Sequence, residues 1–518
     1  MTTDGAQSAD AATVWVLGDQ LTRCVGPLSD HHGRVLLIEA TAFARRLPYH
    51  PHKLAAVFSA MRHFRDELRA DGYDVSYRQA ETFADGLAAH FEEYPDDHLR
   101  VMRPATHGTA DRLRSLVADA GGSVSVVENE TFLCSPEQFD EFAGDSTPKH
   151  ESFYRFMRRE TGYLMDDGDP VGGEWNYDDQ NRETPPDDWT PPEPPTFDHD
   201  DVTADVLSWV HEVFAGGYED APYGGDWADP GPFEWPVTRE QARRALDAFV
   251  ADRLPEFGPY QDAMREAEWA MHHSLLSVAI NLGLLTPREV IERVLAEHEA
   301  RDLPLNSVEG FVRQLLGWRE FVRHVYRREM PELAEANQLD EREPLPEFYW
   351  TGETDMACVS DVVDGVRERG YSHHIERLMI LSNFALVYGV EPAALNRWFH
   401  AAYVDAYHWV TTPNVVEMGM YGADAFATKP YAASANYIDG MSDYCSGCPY
   451  YKTKTTGDGA CPFNALYWDF LDRNEDELRS NHRMGLMYSH VDDKDADELE
   501  AIRERAAEVR AMAERGDL

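Results

Sequence analysis

Lysine is almost missing from this chain, with six residues (Lys53, Lys149, Lys429, Lys452, Lys454 and Lys494) against 41 arginines. Acidic residues number 94 and the formal charge is −47. At low ionic strength such self-repulsion destabilises a fold, whereas near ~1 M salt the Debye length shrinks to ~3 Å and the repulsion is screened. The balance reads as adaptation to a salty cytoplasm. An acidic protein that avoids nucleic acid is the competing reading, and only the local face decides between partners. Cysteine is scarce too: six in 518 residues exclude a disulfide scaffold. No window reaches the ~18 uncharged apolar residues of a membrane span, and the start MTTDGAQSADAATV has neither a basic nor an apolar leader segment, so a soluble, cytoplasmic protein is expected. The first strand pattern ends in Gly18-Asp19-Gln20-Leu21 with no GxGxxG, which removes the usual dinucleotide fingerprint. A ligand at these strand ends would be bound by other means.

Apolar material is plentiful. Hydrophobic residues make up 43% and aromatics 11% of a chain too long for one ordinary core, which predicts two or three domains. Strand patterns at 13–18, 34–39, 73–77, 99–102 and 123–127 alternate with helical patterns near 51–70, 83–93 and 109–120, predicting a parallel sheet with helices on both faces. From about 166 to 236 the composition turns to Asp, Pro, Gly and Trp, the mark of a long connector. Beyond 238 the pattern is almost wholly helical, with a capping box from Thr286 to Glu289 and an amphipathic stretch over 373–389. The acidic tail 491–518 reads as a solvated helix.

Several constellations could carry chemistry. Cys445 and Cys448 stand a short turn apart, Cys461 precedes a proline, and Cys358 is available from a distant segment. Four thiolates suit zinc or an iron–sulfur cluster equally. Cys24 and Cys134 are read as inert. His373-His374 opens a helix, where an imidazole can act as proton donor or ligand contact, although an exposed capping turn is the simpler account. Trp350, Trp398 and Trp409 are read as core, with a redox chain as the alternative. Arg313, Arg319, Arg323, Arg327 and Arg328 form a helical arginine stripe that suits phosphate recognition. Lys149-His150 through Arg158-Arg159 is a second basic stretch, interleaved with aromatics. For each, ion pairing with the many carboxylates is the simpler account.

At these residues the chain resembles a known family, the iron–sulfur bacterial cryptochromes and photolyases, also called prokaryotic (6-4) photolyases. The shared strings run nearly end to end: VLGDQL at 16–21, FSAMRHF at 58–64, HSLLS at 273–277, EGFVRQLLGWREF at 309–321, FYWTG at 348–352, HHIERLM at 373–379, YVDAYHWV at 403–410, KPYAAS at 429–434, MSDYCSGC at 441–448 and ACPFNALYWDFL at 460–471. The resemblance implies the photolyase/cryptochrome architecture. An α/β antenna domain with a Rossmann-like sheet of five parallel strands occupies 1–133, an interdomain linker 134–237, an all-α FAD-binding domain 238–490, and an acidic C-terminal helix or tail 491–518. It also implies a four-iron four-sulfur (4Fe-4S) cluster on Cys358, Cys445, Cys448 and Cys461, and a 6,7-dimethyl-8-ribityllumazine antenna near Gly18, Asp19, Gln20 and Glu39. FAD is carried over onto Ser274, Leu275, Ser277, Gln314, Arg319, Asn383, Asp405 and Asn414. Arg182, Tyr431, His373 and His374 match positions that face a DNA lesion, and Trp350 and Trp398 match an electron-transfer route.

The implied activity is light-driven repair of (6-4) pyrimidine photoproducts in UV-damaged DNA, by electron transfer from photoexcited reduced FAD in a monomeric protein. Repair must also move a proton as the OH or NH₂ group returns to its base, with His374 the first choice for that role. The damaged bases must leave the duplex stack to reach the pocket. The alternative is a cryptochrome-like blue-light photoreceptor that keeps FAD and the cluster without repair. Two departures from the family pattern bear on the flavin. Thr411 stands where relatives often carry an acidic residue, and Phe399 stands where they often carry Tyr, so a route through Trp398 and Trp350 must work without a phenol.

Overall fold

Strands β1 (Thr13–Trp15), β2 (Arg34–Ala40), β3 (Asp74–Ala80), β4 (His98–Met102) and β5 (Ser123–Val127) form one sheet in the order β3-β2-β1-β4-β5 in a computed structural model of the chain. The structure describes residues 12–186, 188–214 and 226–518. All four strand pairings are parallel, as the strand–helix alternation predicts, with Val14 opposite both Val35 and Arg100. β1 and β2 are buried almost throughout, because helices cover both faces of the sheet, while edge strand β5 is only half-buried. The chain runs outward from β1 through β2 to β3 and then returns to β4, so the sheet has its switch point at the ends of β1 and β4. The Gly18–Leu21 turn sits there. Gln20 Nε2 donates to Met102 O at 3.1 Å and to Arg103 O at 3.4 Å, and Leu21 N donates to Leu282 O at 2.8 Å. Gly283, at φ +86°, permits that last contact, since a Cβ there would lie 2.8 Å from Leu21 N.

The rest is almost wholly helical, and the two parts share a core. One apolar cluster runs from Val14 and Leu54 through Phe153 to Phe249 and Trp409. A second lies within the helical part and includes Cys358, Trp398 and the tail residue Val509. The connector is more structured than its composition suggests. Helix Asp201–Phe214 lies along helix Pro51–Ala70, where Phe58 meets Trp209 edge to face at 5.0 Å. Its amphipathic DVLSWVHEVF is masked in the sequence by the prolines and aspartates around it.

The tail corrects the reading of a solvated helix. Helix Ala496–Arg515 docks on helix Pro462–Arg473, burying Ile502, Ala506, Val509 and Ala513. Arg505 reaches Ala460 O at 3.3 Å and Arg510 pairs with Asp469 at 2.7 Å. The apolar residues recur at helical spacing, a signal that the high charge of this segment hides. Among the described residues no helix is long and apolar enough to cross a membrane.

Candidate functional site

The helical domain gathers its polar candidates around Asp405. Ser277 Oγ donates to Asp405 Oδ2 at 2.7 Å, and Arg377 closes a two-pronged pair on the same carboxylate at 3.0 and 3.1 Å. Arg377 also donates to Ser372 O at 2.7 Å and lies over the Tyr403 ring at 4.2 Å. From the α/β domain, Lys53 donates to His400 O and Ala406 O at 2.8 and 2.7 Å, and burial lowers its ammonium to about 7. Sequence reasoning passed over Arg377, Tyr403 and Lys53. The only available signal was that Lys53 is one of six lysines.

Gln314 and Arg319 lie in a wide π-type turn over Arg313–Arg319, Asn414 in another over Pro413–Gly419, and Asn383 directly after a third over Glu376–Ser382. Such turns shift side chains out of α register and recur at functional sites. Leu275 is held at φ +59°, unusual for a leucine, next to Ser274. Asn383 clamps the 433 segment, donating to Ala433 O at 3.0 Å and accepting from Ala433 N at 2.9 Å. Arg319 is enclosed between Phe132 and Trp409, at 4.4 and 5.0 Å, with Glu320 at 3.4 Å; burial lowers it to about 10. Its Nε has no partner among the described residues, and neither do both terminal nitrogens of buried Arg253.

In the arginine stripe, ion pairing and packing, the simpler account, are what the structure shows. Arg313 and Arg323 are each only 6% exposed. Arg313 pairs with Asp178 and Glu309 at 2.6 and 3.3 Å, and Arg323 stacks over Phe132 at 4.0 Å. Arg327 pairs with Asp140, and Arg328 donates to Gly144 O. In the second basic stretch Arg158 is buried and bonds Trp175 O and Leu164 O, Arg155 pairs with Glu151, and His150 stacks on Trp318 at 3.7 Å. Arg313, Arg323 and Arg158 thus face the interior and join segments, while Lys149 and Arg159 stay exposed.

His373 and His374 have different surroundings. His373 is fully buried, stacked on His273 at 4.5 Å and 3.2 Å from Glu376 Oε1, with neither ring nitrogen hydrogen-bonded. Glu376 also accepts from Tyr444, the neighbour of Cys445. His374 is open to solvent yet ringed by enough protein that burial, followed by the charge of Arg377, lowers it to about 4. That combination describes a side chain on the wall of a recess.

Asp262 interacts electrostatically with Asp178, Arg182, Arg313 and His373, and with Tyr431 and Tyr437, so the arginine and tyrosine singled out in the sequence share a region with the histidines. Arg182 is exposed and 3.4 Å from Asp178, and Tyr431 is 37% exposed. Burial, then the Asp178 charge, raises the Asp262 carboxyl from 3.8 to about 6. The folded state therefore holds a proton that the unfolded chain has lost between those values. The cost of ionising Asp262 in place is absent below the lower value and complete above about pH 6. Asp262→Asn is expected to stabilise the protein by ~1–3 kcal/mol at pH 8 and not at pH 4. Denaturant unfolding at both pH values checks this, and equal effects at the two would contradict it.

Trp398 is fully buried, donating its N–H to Tyr349 O at 2.9 Å, and lies 6.5 Å from Trp350 and 5.7 Å from Tyr403 between ring centres. Phe399 stacks on Tyr403 at 5.0 Å. Arg377, Tyr403, Trp398 and Trp350 thus form a continuous path outward from Asp405. Trp409 serves as core, packing on Phe132 at 5.0 Å, and Thr411 is buried beside it.

Cys358, Cys445, Cys448 and Cys461 line one cavity with Met356 and Phe463, although Cys358 comes from a separate helix, Ala357–Arg369. Among the described residues no His, Cys, Asp and Glu group is arranged to hold a metal ion. At the sheet, Glu39 is engaged by Arg62 at 2.9 and 3.1 Å, by Gln79 at 2.8 Å and by Tyr77, and Gln20 by the β4 end. Gly18 packs closely on Met61, where a Cβ would meet Sδ at 3.1 Å. Burial raises Asp19 to about 6, and its charge acts on Tyr407 across the domain boundary.

A five-stranded parallel α/β sheet joined to a helical domain is the photolyase and cryptochrome architecture. Two solved structures show the same fold. A bacterial class III photolyase from Agrobacterium tumefaciens aligns over 99% of this chain and all of its own, with a TM-score of 0.58 at 16% identity. The Synechocystis sp. PCC6803 cryptochrome aligns over 81% of this chain and 84% of its own, with a TM-score of 0.56 at 14% identity. The family model described as deoxyribodipyrimidine photo-lyase-related protein matches residues 14–222. A (6-4) photolyase from Agrobacterium fabrum strain C58 is 40% identical over 487 residues, which cover 92% of this chain and 94% of that protein. The chain belongs to the photolyase and cryptochrome family, in the group of that (6-4) photolyase.

Proposed function

We propose that this protein is a light-driven DNA lyase for (6-4) pyrimidine photoproducts. The observation that carries the reading is the match, nearly end to end, to a protein named (6-4) photolyase. FAD is the cofactor the family implies. The residues present fit it: the unpartnered Arg319 Nε and Arg253 nitrogens call for an anionic or acceptor-rich group, and Leu275 is strained beside Ser274. Ser274, Leu275, Ser277, Gln314, Arg319, Asn383, Asp405 and Asn414 would hold it. When bound and reduced, FAD supplies the photoexcited electron that opens the lesion.

The protein's own residues do the remaining work. Arg377 and Ser277 hold the Asp405 carboxylate fixed in place. His374 stands in the recess as a neutral imidazole at pH 7 and can relay a proton between the lesion's OH or NH₂ group and its base. Tyr431 and Arg182 offer an exposed ring and guanidinium for the flipped bases and the phosphate beside them. The four cysteines would hold a 4Fe-4S cluster, the support being that all four line one cavity and that the family resemblance favours a cluster over zinc. The lumazine antenna is proposed at the β1 and β4 ends, with Asp19 as its polar contact. The protein is read as monomeric and cytoplasmic.

The test is illumination of purified protein with an oligonucleotide carrying one (6-4) lesion. Restored thymines support the reading, and intact flavin absorption without restoration would favour the photoreceptor alternative. A second expectation concerns salt. As sodium chloride rises from ~0.1 to ~1 M, the Debye length falls from ~10 to ~3 Å, and the thermal midpoint should climb as carboxylate repulsion is screened. Affinity for damaged DNA should fall only shallowly over the range where the protein is folded, because few phosphates are neutralised. A slope matching ~6–10 phosphate contacts would defeat this account.

A further inference from the structure

The turn that carries Asp405 is anchored by both domains. From the helical domain, Ser277 and Arg377 fix its carboxylate and Asn281 Nδ2 donates to its carbonyl oxygen at 3.0 Å. Helix Pro392–Ala402 ends just before this turn, and the carbonyls of a helix's last turn have no partner within the helix. Phe399 O accepts from Tyr403 N at 3.2 Å. The next two carbonyls are satisfied from the α/β domain: Lys53 Nζ donates to His400 O at 2.8 Å, and His50 N donates to Ala401 O at 2.8 Å. A cation suits this place, because the end of a helix carries partial negative charge. Lys53 also donates to Ala406 O at 2.7 Å. One ammonium thus closes the loop from His400 to Ala406, with Asp405 inside it.

This lysine serves position more than packing. It is 8% exposed, with its ammonium 5.0 Å from the centre of the Tyr49 ring and 5.9 Å from that of Tyr407. The charge that faces it is Asp405, and neighbouring His400 is neutral, since burial lowers it well below its ordinary value. An apolar side chain of the same length would fill the space without the cost of desolvating a charge. What only the ammonium supplies is a set of donors aimed at two carbonyls on either side of Asp405.

We propose that Lys53 is a positioning residue for the flavin site: from the α/β domain it fixes the Asp405 turn, and so couples the docking of that domain to flavin binding. This rests on the reading of Asp405 as a residue that holds FAD. By linkage the effect is reciprocal, so a docked Lys53 favours flavin binding and bound flavin tightens the docking.

The experiment compares full-length wild type, Lys53→Met and Phe58→Ala, each with and without FAD. Lys53→Met keeps an unbranched stem and removes the donors, whereas Phe58→Ala cuts the packing of the same helix on Trp209 and leaves the turn alone. Flavin affinity is read by fluorescence titration, and amide hydrogen exchange over 50–54 and 400–407 by mass spectrometry. In Lys53→Met the affinity is expected to fall ~5–150-fold, the usual range for coupled sites. Its 400–407 amides should exchange faster even without flavin, and flavin should no longer protect 50–54 as it does in wild type. Phe58→Ala is expected to lower the thermal midpoint with flavin affinity near wild type. Should Lys53→Met give no soluble protein, Lys53→Gln, whose amide can donate to one carbonyl, supplies the test: weakened flavin binding supports the proposal, and wild-type binding overturns it. Wild-type affinity in Lys53→Met would overturn it as well, and an equal loss in Phe58→Ala would reduce Lys53 to a packing residue. If flavin binds the wild type without protecting 400–407, the reading of Asp405 fails, and the proposal with it.

Discussion

Cys448→Ala is expected to leave little soluble protein and no bound iron. Cys448 is partly exposed, so the change removes almost no core packing, and a large loss would have to come from the proposed cluster. A cluster spanning Cys358 and Cys445 closes a loop of 87 residues. A cross-link over that length is worth ~4–5 kcal/mol in the chain-entropy account, a large part of the ~5–15 kcal/mol by which a typical domain is stable. The buried Cys358→Ser should behave at least as badly, since it also places a hydroxyl in the second core. Iron and sulfide content per chain, with the unfolding midpoint, are the measurements. Stoichiometric zinc without iron in protein grown with ample iron would remove the cluster, and a Cys448→Ala protein with an unchanged midpoint would remove its structural role.

His374→Ala is expected to lower repair by ~10²–10⁴-fold, the usual range for a positioned proton-transfer group, while FAD content and photoreduction persist. The side chain opens onto the recess, so truncation leaves no packed void. His373→Ala is the contrasting variant: it breaks the stack on His273 and should also lower the unfolding midpoint. Because His374 is lowered to about 4, it is neutral from pH 6 to 8, and its contribution should be flat across that window and change only in more acidic solution. Asp262→Asn should remove the contribution of that carboxyl near pH 6. Full restoration of thymines by illuminated His374→Ala protein would take this residue out of the mechanism.

Alternation of strand and helix over 13–127 could be read without a structure, because the period of apolar residues is a local property and each element writes its own. The same holds for the capping box at Thr286 and for the cysteine set, which short-range spacing and an end-to-end family resemblance single out. Burial, by contrast, is decided by what lands on a residue. The arginine stripe has the periodicity of a surface face, yet Phe132 and Asp178 arrive from elsewhere in the chain and cover Arg323 and Arg313. Arg377, Tyr403 and Lys53 carry no local signal, since each acquires its role from a partner on another segment, as when Lys53 meets Ala406 353 residues away. Tertiary packing likewise separates two adjacent histidines, putting His373 inside a stack and His374 on the recess wall. It also sets Trp227 against Trp350, although composition alone had placed residue 227 in a connector. Sequence determines which chemistry is available; long-range contacts determine the solvation and neighbours of each group, and therefore which of those groups can bind, titrate or pass an electron.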